Sequence, residues 1–75
     1  MSISVDQLVA ASGLSPLFAK SAIQRAVDRC GVRLDRLNAG DAERLAEDLG
    51  RVVAIFDPDG VDRAMRRIRE TLALS

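Results

Sequence analysis

Apolar residues in this chain recur at spacings of three and four, in segments opened by a capping residue and often closed by glycine. That pattern confines the chain to helices packed on one another. The longest run without a gap is Ala42, Leu45, Ala46, Leu49, Val52, Val53 and Phe56. It predicts a helix over about residues 39–55, opened by Asn38, with Asp41 and Glu43 near its positive end. Gly50 lies inside this helix and costs about 1 kcal/mol relative to alanine. A close helix crossing is the expected reason for it. Ser4 and Gln7 form a capping box, followed by Val5, Leu8 and Val9 and then Gly13, which predicts a helix over about 5–12. Ser15-Pro16 restarts the chain with serine as the cap, and Phe18, Ala19, Ala22, Ile23, Ala26, Val27 and Cys30 give a second helix over about 16–30, ended by Gly31. Asp57-Pro58 repeats the cap-plus-proline device, and Val61, Met65, Ile68 and Leu72, with Ala64 on the flank, predict a fourth helix over about 58–73. Residues 32–37 read as a connector from which Val32, Leu34 and Leu37 plug the core.

The expected fold is a single all-α domain over residues 1–75, a compact orthogonal or up-down bundle of four short helices. The helix over 39–55 is its centre. Leu45, Leu49, Val52 and Phe56 should meet Ile23 and Val27 on one side and Met65 and Ile68 on the other. Leu8 should cover one end. A chain of 75 residues buries only about 60% of its unfolded surface, so stability is expected to be modest.

No arrangement of residues points to catalysis. The chain has no histidine and one cysteine, so Cys30 has no imidazole to activate it, and its place in line with Ala19, Ala22 and Ala26 predicts a core role. The serines lack triad partners. Glu43, Glu47 and Asp48 alternate with Arg44 and Arg51, which is the pattern of mixed surface charge. Asp57-Pro58-Asp59-Gly60-Val61-Asp62 has the acidic look of a calcium loop but not its twelve-residue spacing or closing glutamate. The length and the run Glu47-Asp48-Leu49-Gly50 invite comparison with acyl carrier proteins, but no serine follows to carry a prosthetic group. The chain is therefore expected to be no enzyme, with no cofactor, metal or small-molecule substrate. The longest wholly apolar stretch, Val52 to Phe56, is far short of the roughly 20 residues that span a bilayer. The N-terminus lacks the basic and apolar regions of a signal peptide. A cytoplasmic protein is expected.

Two binding readings remain. Leu8 to Ile23, with its short helix, Gly13-Leu14 turn and second helix, resembles the helix-turn-helix pattern of DNA-binding domains. That resemblance implies a DNA-binding unit over residues 5–29, with Lys20, Ser21 and Gln24 facing the groove. Eleven basic residues against eleven acidic ones, and a pI near 6.1, are not the profile of a dedicated nucleic-acid binder. The start of that second helix, Pro16-Leu17-Phe18, is also poor in base-reading side chains. The preferred reading is a non-catalytic protein–protein interaction or assembly module, with self-association as one form. Its contact surface should centre on Leu14, Leu17 and Phe18, with Arg63, Arg66 and Arg67 as an electrostatic rim. Leu14, Leu17, Ile55, Leu72 and Leu74 lie near helix ends, where one small core is not expected to cover them all.

Overall fold

Every helix boundary has a local cause. In the computed structural model, which describes residues 3–74, α1 spans Val5–Ser12. The Ser4 hydroxyl accepts from the Gln7 backbone N–H at 3.2 Å, and the Ser4 N–H donates to the Gln7 side chain at 2.8 Å. Two of the amides that a helix start leaves unpartnered are thereby satisfied. Gly13 ends α1 in the left-handed region, at φ 71°, where a side chain is strained. Ser12 is buried, and its hydroxyl donates to the Val9 carbonyl at 2.6 Å and accepts from the Leu14 N–H at 3.2 Å. The turn is thus tied on both sides.

Pro16 occupies the first position of α2, Pro16–Cys30. Ser15 has the extended backbone of a cap, but its hydroxyl makes no capping bond. Its carbonyl accepts from Phe18 and Ala19 instead, which corrects the expected side-chain cap. After a 3-10 turn over Leu34–Arg36, α3 runs Ala39–Phe56, opened by Asn38 accepting from the Asp41 N–H at 2.8 Å. A second 3-10 turn takes Pro58–Gly60, and α4 spans Val61–Thr71. The fourth helix was expected from 58 to 73. Asp57 makes no side-chain cap, and the Gly60 N–H bonds to the Asp57 carbonyl in the tighter i+3 pattern, so the α-helical ladder starts at Val61. At the other end Ala73 turns left-handed, at φ 59°, and stops the helix early.

The described residues hold four α-helices and no strand. Each helix packs on its neighbours in sequence, and α4 closes the ring against α1. Contacts fix the directions. Arg29, near the end of α2, pairs with Asp48 midway along α3 at 2.8 Å, while Gly13, ahead of α2, and Asp57, just past α3, line one cleft. Between α3 and α4, Gly50 abuts Met65 and Glu43 binds Arg69. Between α4 and α1, Ser12 lies by Arg63 while Gln7 lies by Glu70. All three pairs run in broadly opposite senses within a bundle of four helices. Lys20 reaches Asp6 at 3.6 Å, so α2 folds back along α1.

The core takes one stripe from each helix: Leu8 from α1, Ile23 and Val27 from α2, Leu45, Leu49, Val52 and Val53 from α3, and Ile68 from α4. Met65 packs against it, and Leu72 is buried rather than left over. Val32 is buried, and Leu34 and Leu37 are partly so, as plugs from the connector. Leu8 is a fully enclosed core residue, more than a cover over one end. Phe56 departs from expectation. It is half exposed and outside the core cluster, at the last residue of α3.

Candidate functional site

Four large apolar side chains are exposed among the described residues: Leu17 at 83%, Ile55 at 78%, Phe18 at 63% and Phe56 at 49%. The two phenylalanines are the only aromatic residues in the sequence. A helix advances about 100° per residue, so residues seven or eleven apart share a flank. Phe18 is eleven residues before Arg29, whose ion pair with Asp48 marks the α2 flank turned to α3. Ile55 is seven residues after Asp48, on the α3 flank turned to α2. Phe18 and Ile55 therefore border one seam, at the end where α2 begins and α3 ends. Phe56 is the last residue of α3 and Leu17 the second of α2, so all four sit at this end.

Leu14, expected with Leu17 and Phe18 in the contact surface, is half-buried against the core. The helix-end residues Leu72 and Leu74 pack inward, whereas Ile55 does not. Ile55, expected from the sequence as an uncovered helix-end residue but not as part of the contact surface, and Phe56, expected in the core, enlarge the patch. The available signal was their position, immediately before Asp57-Pro58 closes the helix with no further layer to cover them.

The arginines of α4 divide. Arg69 donates two hydrogen bonds of 2.9 Å to the Glu43 carboxylate. Those bonds hold Glu43 below the ordinary carboxylate range and push the guanidinium further up. Arg63, Arg66 and Arg67 are exposed and have no ion pair among the described residues. Arg63 and Arg67 border a cleft of about 190 Å³ with Ser12, Gly13 and Asp57, beside the apolar end. Arg66 does not line it.

Of the residues a DNA-reading helix would use, Lys20 pairs with Asp6 and the Gln24 amide donates to Asp28 at 3.2 Å, while Ser21 is exposed. Carboxylates thus engage two of these three residues, while Arg25 and Arg29 are the other basic side chains of α2. Cys30 is half-buried against the core, with Sγ 3.9 Å from the Arg44 carbonyl. Burial raises its pKa, Asp48 adds to the rise, and Arg44, Arg29 and Arg51 oppose it. This keeps the thiol protonated near neutral pH. Among the described residues no group of three or more Cys, Asp and Glu side chains is arranged to hold a metal, and no helix is long and apolar enough to cross a membrane. Comparison of the chain with family models, with curated proteins and with solved structures gives no match in any of the three.

Proposed function

We propose that this chain is a non-catalytic docking module that binds protein through the end where α2 begins and α3 ends. The observation that carries the reading is the placement of both aromatic residues outside the core, beside Leu17 and Ile55. A small bundle short of bulky residues gains most by burying its phenylalanines. Leaving them in water costs solvation free energy that only a partner's surface recovers. Aromatic and aliphatic anchors surrounded by charge are the usual composition of a binding hot spot. Arg63 and Arg67 stand beside the patch as steering charges, with Arg66 further round the helix. The helix-turn-helix reading has less support, because Asp6 and Asp28 engage two of its three reading residues.

A photo-reactive amino acid placed at Ile55 in the living host tests the reading against one at Glu47, which is exposed elsewhere on α3. Protein adducts are expected from position 55, well above those from position 47, and should disappear when Phe18→Asp is added. Equal yields from the two positions, or adducts indifferent to Phe18→Asp, contradict the reading.

A further inference from the structure

The cleft between the α1–α2 turn and α4 holds three charged side chains, Asp57, Arg63 and Arg67, above the buried methyl groups of Ala11 and Ala64. Arg63 and Arg67 stand one turn apart on α4, so they share a face. Neither forms an ion pair among the described residues, although Glu70 lies three residues after Arg67. Asp57 bridges to neither arginine, and its side chain caps no helix. The carboxylate folds over the Gly60 Cα instead, in space that a Cβ would occupy. Glycine at position 60 thus leaves room for the carboxylate beside the cleft. Two guanidiniums and a carboxylate border one recess without neutralising one another.

That set of groups selects a ligand chemistry. Each guanidinium presents a planar fork of N–H donors. One fork saturates the two oxygens of a carboxylate, whereas two forks match an oxyanion with more oxygens than that. The Asp57 carboxylate only accepts, so the ligand must also bring a proton to it. Phosphate meets both conditions. Inorganic phosphate keeps a proton at neutral pH, and a phosphate monoester keeps one on about half its molecules near pH 6. Sulfate has the oxygens but not the proton. We propose that this cleft binds a protonated phosphate group, whose oxygens accept from Arg63 and Arg67 and whose hydroxyl donates to Asp57. The cleft, at about 190 Å³, is smaller than the roughly 300–1,000 Å³ of small-molecule pockets, so it takes the phosphate and little else of a larger ligand. The arginines are exposed and screened by salt, so a dissociation constant on the order of 1 mM is expected for the free ion. The proposal goes beyond protein docking and stands if that reading fails.

The test is an NMR titration of the nitrogen-15-labelled full chain with inorganic phosphate, up to about 20 mM at about pH 6.5, with chloride holding ionic strength constant. Saturable shifts are expected at the Gly13 and Gly60 amides, which border the cleft. Sulfate should bind about fivefold more weakly or worse. Arg63→Gln and Arg67→Gln should each weaken phosphate about tenfold. Arg66→Gln removes the same charge from the same helix but outside the cleft, and should stay within about twofold of the wild type. Asp57→Asn puts an amide donor beside the anion, so sulfate should then bind about as well as phosphate. All four positions are exposed, and an unchanged far-UV spectrum confirms that each variant folds. Absence of saturable shifts at Gly13 and Gly60 overturns the proposal. Wild-type protein that binds sulfate as tightly as phosphate overturns it too, as does an Arg66→Gln loss equal to that of Arg63→Gln. Titration with phosphoserine identifies the source of the group: tighter binding than inorganic phosphate assigns it to an ester, weaker binding to the free ion, and either keeps the site.

Discussion

Leu49→Ala is expected to lower the free energy of unfolding by about 3 kcal/mol, read as a shift of the urea midpoint at constant slope. Leu49 is fully buried on α3, the helix that packs against both α2 and α4. Truncating it removes the transfer free energy of three carbons and leaves a cavity lined by residues from several helices. A domain of this size has roughly 4–11 kcal/mol in total, so the variant would lose a large share of it. The melting temperature should fall by more than 10 °C, at about 4 °C or more per kcal/mol. A loss under about 1 kcal/mol would mean that α3 is not the centre of the bundle.

Gly50 should respond to its neighbour rather than to its helix. A Cβ at this position would sit 2.8 Å from Met65 Sδ and 3.5 Å from Cε, closer than packed atoms tolerate. Alanine gains about 1 kcal/mol of helix propensity, and the flexible thioether can swing aside at comparable cost. Gly50→Ala is thus expected to change stability by less than about 1 kcal/mol. Gly50→Leu has no such escape and should cost about 2–3 kcal/mol. In a Met65→Ala background, Gly50→Ala should become stabilising by about 1 kcal/mol, so the double-mutant cycle reports a coupling. Strict additivity in that cycle would place the two residues apart and remove the close approach of α3 and α4.

The helices were legible because their punctuation is local. Ser4 with Gln7, Gly13, Asn38 with Asp41, and Gly31 each act within a turn of their own position, and all four do what their sequence context predicts. Asp57-Pro58 was read as a second cap because the dipeptide resembles Ser15-Pro16. Gly60 and the i+3 bond to Asp57 make it a 3-10 turn instead, a distinction made by hydrogen-bond register and not by composition. Phe56 was misplaced for a different reason. It continues the apolar period of α3 perfectly, but periodicity carries no information about where a partner helix runs out. Leu17 and Phe18 were recognisable because they fall at a helix start, ahead of the buried stripe. Their placement toward the same end as Ile55 depends on the relative direction of α2 and α3, which is a tertiary property. The same holds for the α4 arginines: Glu43, twenty-six residues away in sequence, engages Arg69 and leaves Arg63 and Arg67 beside the cleft.

A docking role for the apolar end requires a fold that is complete without the side chains there. The most direct test is the unfolding free energy of Leu17→Gln/Phe18→Gln/Ile55→Gln in urea, at a protein concentration low enough to keep the chain monomeric. Glutamine is a good helix former, so helix propensity changes little. The variant is predicted to match the wild type within about 1 kcal/mol, as exposed substitutions do. A loss comparable to that of Leu49→Ala would place these residues in the core and leave the chain without the surface through which it is proposed to bind.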